Sequence, residues 1–299
     1  VGGYPVNSYK YLRKQFVAYG FLAPAAILLI VLLLYPMILV VWNSFLDNSI
    51  INPTPKWVGL RHYRWALADT VFSRAFRNTL IFTISSVLLH LSIGLGFALL
   101  LNTSINRRIQ TFFRVLLILP WTFTVAIVAI IWRLLLDPLG VVNFLLSIPG
   151  FIKPGLAWFG DPGRAMSALI LTNTWGGYPF IMVSLLAGLQ GISVSLYEAA
   201  TVDGANSWQK FLYITVPQLK PVILSIGLLD FIWTYRLFEL IWLTTGGGPG
   251  RATETLGTYI YKLAFTQYQF SRASAVAVIL ALTTLVLAIF YLRAQKASD

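Results

Sequence analysis

Six apolar runs, near 18–41, 76–101, 112–136, 166–190, 222–244 and 272–293, constrain this 299-residue chain more than any other feature. A helix needs about 20 mostly apolar residues to cross about 30 Å of hydrocarbon. Within lipid, every backbone amide must find its partner inside the protein, so spanning segments are helices or closed barrels. No stretch has the short alternating strands of a barrel. The runs therefore predict an all-α integral membrane protein, a six-span polytopic helix bundle forming a single transmembrane domain over 1–299. The first run is too long for a signal-peptide core and lacks a small-residue cleavage pattern, so it is expected to anchor the mature chain.

Composition agrees with this and excludes several classes. Only 11% of residues are charged and 58% are hydrophobic, against roughly 25% charged in soluble domains. The net charge of +12 would suggest nucleic acid in a soluble protein. Here the basic residues flank apolar runs, so they read as lipid-headgroup contacts, and no nucleic-acid partner is expected. Cysteine is absent, which removes disulfides and thiol chemistry. His62 and His90 are the only histidines, too few for a zinc site. An N-terminus on the cytoplasmic side places ten Lys and Arg on each face, so the simple count is silent. The early cluster Lys10, Arg13 and Lys14 favours that orientation. Both termini are then cytoplasmic, and the loops 42–75, 137–165 and 245–271 lie outside.

Between the fourth and fifth runs lies a polar segment, 195–221, "SLYEAATVDGANSWQKFLYITVPQLKP". Ser195 and Glu198 fit a capping box opening one short helix, which Gly204 can end. Asn206 and Gln209 fit a second box. In the second helix Trp208, Phe211, Leu212 and Thr215 recur at i, i+3, i+4 and i+7, giving one mainly apolar stripe. Pro217 and Pro221 are expected to stop that helix before the fifth span. By pattern alone, such a hairpin either lies on lipid headgroups or docks in a partner's groove.

The full spacing resembles the EAA motif of ATP-binding-cassette importer permeases: E-A-A, three residues, Gly, nine residues, then I-x-L-P. The chain has Glu198-Ala199-Ala200, Gly204, Ile214 and Pro217, with Asp203-Gly204-Ala205 adding to the match and Val216 in place of Leu. "WVGLRHY" (57–63), "RNTLIFT" (77–83) and "LTTGGGPGRATETL" (243–256) are similar to the carbohydrate-importer branch of maltose and glycerol-phosphate type. The resemblance implies the type I importer fold with a cytoplasmic coupling helix pair. It implies that Glu198, Ala199, Ala200, Asp203, Gly204, Ile214 and Pro217 engage a cleft of a separate ATPase. The implied partners are two ATPase subunits carrying ATP and Mg²⁺, a second homologous permease subunit and an extracytoplasmic solute-binding protein. The implied location is a bacterial inner membrane.

The chain has no G-x-x-x-x-G-K-[ST] run to cradle phosphates. Gly246-Gly247-Gly248-Pro249-Gly250 lacks the Lys and the hydroxyl and reads as a turn-rich loop. Catalytic residues and bound cofactors are therefore not expected in this chain.

Ionisable groups within spans are costly and by default functional. In the fifth run, Asp230, Trp233, Thr234 and Leu237 share one helical face, whereas Arg236 and Glu239 lie nearly opposite at pairing distance. A carboxylate accepts hydroxyl hydrogen bonds and an indole offers a flat apolar platform, so the first face suits a sugar. It suits equally a packing role in which Asp230 bonds a neighbouring span. "NTWGGYPF" (173–180) predicts a break in the fourth span at Gly176, Gly177 and Pro179. The maltose-type resemblance implies substrate contacts from Gly177, Phe180, Asp230, Trp233, Thr234 and Leu237, with Trp175 and Tyr178 matching less closely. Trp121, beside Pro120, reads as a packing residue and Arg133 as a residue snorkelling to the interface. A carboxylate on the substrate face argues for a neutral polyol or sugar over a phosphorylated one, unless Arg236 turns inward. An ion-coupled transporter or channel with Asp230 as coupling acid, and an importer of a non-sugar solute, remain alternative readings.

Overall fold

A computed structural model of the chain describes residue 19 and residues 21–49, 52–103 and 106–296. The first helix, α1 (Phe21–Ser44), is followed by the antiparallel pair β1 (Leu46–Ser49) and β2 (Asn52–Trp57), then α2 (Arg61–Ala68) and α3 (Thr70–Leu101). Next come α4 (Arg107–Thr122), α5 (Val125–Leu135), α6 (Val141–Ser147) and α7 (Ala165–Gln190). The chain continues through α8 (Val194–Val202), α9 (Ser207–Tyr235), α10 (Glu239–Thr244), α11 (Leu256–Tyr261) and α12 (Phe270–Lys296). Among the described residues, five helices are long and apolar enough to cross a membrane, or six if the bent pair α4–α5 counts as one span.

The centre of the bundle is the contact between α3 and α7. Thr79, Thr83, Ser86, His90, Gly94 and Ala98 recur every three or four residues on α3 and are all buried. This stripe of small and hydroxyl side chains lets a facing helix approach closely, as membrane helices do where lipid supplies no hydrophobic drive between them. A Cβ on Gly94 would lie 2.8 Å from Ile181 Cγ2 and 3.0 Å from the Met182 amide nitrogen, so no larger residue fits that approach. Ala98 and Leu101 continue into a cluster with Ile181, Met182, Leu185, Leu186 and Leu189 of α7 and Leu219 of α9. In contrast, α1 packs along α12 and leaves its apolar side chains exposed, as a lipid-facing helix does.

Four sequence expectations are corrected. The third run is two helices, bent by 99° between Thr122 and Val125. Phe123 is extended, Thr124 caps α5 by accepting from the Ile127 amide, and Pro120 lies just before the corner. The fourth span is unbroken through Gly176, Gly177 and Pro179. Pro179 lies buried within that helix. The fifth run ends early: α9 stops at Tyr235 and α10 restarts at Glu239. Arg236 and Glu239 thus flank a break rather than share a helical face, both are exposed, and no ion pair joins them. Finally, Pro217 and Pro221 do not stop the hairpin's second helix, which runs on as α9. A π-turn at Phe211–Thr215, with the Val216 amide bonded to the Phe211 carbonyl, widens the helix just where Pro217 enters.

The segments between α1 and α3, and between α10 and α12, gather at one end of the bundle. The Asn78 carboxamide donates to the carbonyls of Arg251, Ala252 and Glu254 at 3.0–3.3 Å. The Tyr259 hydroxyl bonds Asp69, and burial with that carboxylate pushes the phenol pKa upward. Glu254 is buried against Lys262 Nζ at 3.0 Å. His62 is buried, its Nε2 3.0 Å from the Leu46 carbonyl.

Burial lowers the His62 pKa from its ordinary 6.5, because the fold stabilises the neutral ring. That contribution is complete above pH 6.5 and is lost as pH falls below it, since the unfolded imidazole then takes up protons that the folded one resists. Amide exchange in β1 and β2 should therefore accelerate as pH is lowered from about 7 to about 5, after correction for intrinsic rates. His62→Gln should flatten that dependence; an equal dependence in both proteins would assign it to another group.

Candidate functional site

A cavity of about 330 Å³ opens between α3, α7, α9, α10 and the α4–α5 corner. Gly177, Phe180, Asp230, Trp233, Thr234 and Leu237 all line it. Phe180 and Trp233 lie 5.2 Å apart between ring centroids, and Phe180 and Trp121 lie 5.9 Å apart. Three aromatic rings from α7, α9 and α4 thus form one apolar wall. The bend at Phe123 and Thr124 turns both residues toward the same space.

The polar wall is built around Asp230. It is buried, with Oδ2 2.7 Å from His90 Nδ1. The other ring nitrogen, His90 Nε2, lies 3.1 Å from the Asn173 carbonyl oxygen. One imidazole therefore joins α3, α7 and α9. Thr234 Oγ1 is 3.5 Å from Asp230 Oδ1, too long to hold that oxygen firmly. Asn173 Nδ2 is buried without an acceptor among the described residues. No Lys, Arg or Glu lines the cavity among the described residues.

The imidazole explains the neighbouring glycine. A Cβ at Gly177 would lie 2.3 Å from His90 Cε1 and 2.4 Å from Nε2. Gly177 is thus space for the ring rather than part of the break that the sequence suggested. Trp175 and Tyr178 do not line the cavity: Trp175 stacks on Phe123 with centroids 6.1 Å apart, and Tyr178 donates to the Leu117 carbonyl at 3.1 Å. Trp121 does line it, against the packing role expected of it. Arg133 donates to the Leu243 carbonyl at 3.3 Å, tying α5 to the end of α10. His90 was the missed residue, although an ionisable group within an apolar span is itself the signal. The α4–α5 corner was missed because its breakers sit inside a continuous apolar run.

The polar hairpin lies at the end of the bundle away from the Asn78 and Tyr259 contacts. Gly204 reverses the chain with φ +78°, and the Ala205 amide bonds the Ala200 carbonyl at 2.8 Å. Asn206 and Gln209 form the expected capping box, with bonds of 2.9 and 2.8 Å. The Ser195–Glu198 box does not form: α8 starts at Val194, inside which Ser195 instead bonds Ser193 Oγ at 2.7 Å. Glu198, Ala199, Asp203, Gly204 and Pro217 are exposed, while Ala200 and Ile214 are half-buried. The expected single stripe divides at the π-turn. Thr215 is buried against the Tyr197 hydroxyl at 2.9 Å, whereas Trp208 and Leu212 are 66% and 40% exposed; outside the stripe, Val202 and Tyr213 are exposed as well.

Residues 91–299 match the family described as the inner membrane component of binding-protein-dependent transport systems. The chain belongs to that family, as a membrane-spanning permease subunit of an ATP-binding-cassette importer; ATP hydrolysis resides in a separate subunit. It is 35% identical over 290 residues to the sulfoquinovosyl glycerol transport system permease protein SmoG of Agrobacterium fabrum, covering 96% of this chain and 93% of that one. It is 34% identical over 288 residues to the trehalose/maltose transport system permease protein MalF of Thermococcus litoralis, covering 95% of each. Its fold matches a chain of a bacterial ABC transporter involved in the import of the acidic polysaccharide alginate, with TM-score 0.83 and 26% identity over 97% of this chain and 98% of that one.

Gly177→Ala places a methyl group into the His90 ring. It should lower the unfolding midpoint of the purified chain by the equivalent of about 1–3 kcal/mol, the usual cost of overpacking. An unchanged midpoint would mean that the ring moves aside freely.

Proposed function

We propose that the described residues form one permease domain that supplies half of the path for a sugar or sugar-like solute, with the cavity around Asp230 as its contact. The observation that carries this reading is the joining of an aromatic wall to a buried, hydrogen-bonding carboxylate in one cavity. Sugar rings have apolar faces that stack on aromatic side chains and hydroxyls that need acceptors and donors. Trp121, Phe180 and Trp233 offer the first; Asp230, Thr234 and the unpaired Asn173 amide offer the second. The names of the sugar-transport relatives point the same way.

The hairpin is the joint to an ATPase subunit. Large apolar side chains so exposed beyond the spans require a protein or lipid cover, and Glu198, Asp203 and Lys210 interleaved with them favour protein. The helix α9 starts in the hairpin and carries Asp230 and Trp233 near its far end, as one helix of 29 residues. Displacement of the hairpin is thereby transmitted to the cavity wall without a flexible link. In this reading ATP and Mg²⁺ bind two ATPase subunits, and a second homologous permease completes the path. A solute-binding protein docks on the end bearing α2 and α11. The assembly sits in the bacterial inner membrane with both termini of this chain cytoplasmic; residues 1–18 and 297–299 lie outside those described. The ion-coupled alternative needs Asp230 to bind and release an ion, yet one of its oxygens already faces His90.

Two measurements test these roles. Glu198→Ala with Gly204→Pro removes an exposed acid and imposes φ near −65° where the turn needs +78°. The variant should lose the ATPase on copurification, or lose coupled uptake by roughly tenfold or more; intact uptake would remove the joint. Asp230→Ala and Trp233→Ala should each lower uptake by up to about tenfold while the complex still assembles, since a hydrogen bond and an aromatic stacking contact are each worth about 0.5–1.5 kcal/mol. Normal uptake by both would return them to packing roles.

A further inference from the structure

We propose that His90 is a positioning and specificity-determining residue, because it and Asp230 share one proton and form a pair with no net charge in the cavity wall. A backbone carbonyl only accepts hydrogen bonds, so His90 Nε2, 3.1 Å from the Asn173 oxygen, carries a hydrogen. At the other nitrogen, Nδ1 lies 2.7 Å from Asp230 Oδ2, a contact that needs one proton between the atoms. If the proton is on nitrogen, the pair is imidazolium and carboxylate. If it is on oxygen, the pair is neutral imidazole and carboxylic acid. Both arrangements have zero net charge. A neutral imidazole beside a bare carboxylate, with net charge −1, leaves a lone pair facing an oxygen at one end of the ring or the other.

Burial supports the same conclusion. Both side chains are more than nine-tenths buried, and an isolated buried charge is costly unless paired. No other ionisable side chain among the described residues lines the cavity to compensate Asp230. Gly177 gives the ring its place, since any side chain there would occupy it.

The pair changes what the cavity accepts, an implication that rests on the cavity being the solute contact. With Oδ2 committed to His90, Oδ1 is the oxygen left to take a solute hydroxyl. With the charge cancelled, the wall does not repel an acidic sugar, so the expectation of a neutral solute that Asp230 alone raised is withdrawn. The substrate class becomes hydroxyl-rich solutes, neutral or anionic, selected by ring stacking and hydroxyl donation rather than by charge.

Nitrogen-15 histidine NMR of the full chain in lipid nanodiscs tests the proton directly. The chain has two histidines, so His62→Gln leaves His90 as the single signal. The expected spectrum has Nε2 protonated and Nδ1 either protonated or in strong hydrogen bonding to a protonated carboxyl, whose C=O stretch would then appear by infrared and vanish in Asp230→Asn. A bare Nε2, or a bare Nδ1 without a protonated carboxyl, overturns the pair. Stability gives a second readout. His90→Leu should lower the unfolding midpoint by stranding the acid, and adding Asp230→Asn should restore a substantial part of it. Absence of restoration, with the wild-type spectrum showing a bare nitrogen, overturns the proposal. Uptake that survives Asp230→Ala would instead remove the cavity as the solute contact while leaving the shared proton in place.

Discussion

Close approach of α3 and α7 underlies the rest of the architecture. Gly94 lets the Ile181 side chain and the Met182 backbone lie where a Cβ would otherwise be. One helical turn away on the same stripe, His90 occupies the corresponding space over Gly177. A bulkier pair of faces would separate the helices and leave the imidazole unable to reach both the Asn173 carbonyl and Asp230. The same small-residue stripe that provides packing in lipid therefore also sets the distances in the polar wall.

The two functional ends of the molecule are joined by continuity of backbone. Asn206 starts α9 with a capping box, a π-turn takes the chain past Pro217, and the helix then passes Leu219, packed at Gly188, on its way to Asp230 and Trp233. Its stop at Tyr235 is equally useful. After the break at Arg236–Phe238, α10 packs against α5, and Leu237 and Leu240 line the cavity beside Val128. Two helix breaks, here and at Phe123–Thr124, make room for a cavity in what would otherwise be a filled bundle. Broken helices at membrane depth are tolerated where they line such a space.

Much of this was legible in the residues. Apolar run length alone gave the helical class, the positions of α1, α7 and α12 to within a few residues and the end of α3, because lipid leaves a backbone few options. The hairpin was legible because Gly204, Asn206 and Gln209 act locally: a left-handed turn and a capping box involve residues three or four apart. The shared face of Asp230, Trp233 and Thr234 followed from helical periodicity. The Arg236–Glu239 pair failed for the same reason in reverse, since periodicity assumes a helix that in fact ends at Tyr235.

What the sequence determined by itself is therefore the set of local and solvent-imposed properties: which segments cross lipid, where the polar hairpin turns, and which face of α9 carries polar groups. Tertiary structure alone decided that His90 meets Asp230 across 140 positions of chain, that Gly177 is a socket within an unbroken helix, and that the third span bends to bring Trp121 and Phe123 to the cavity. The physical reason is range. Hydropathy and capping act between near neighbours and with the surrounding medium, whereas a buried hydrogen bond between two spans exists only once a third helix has fixed the distance between them.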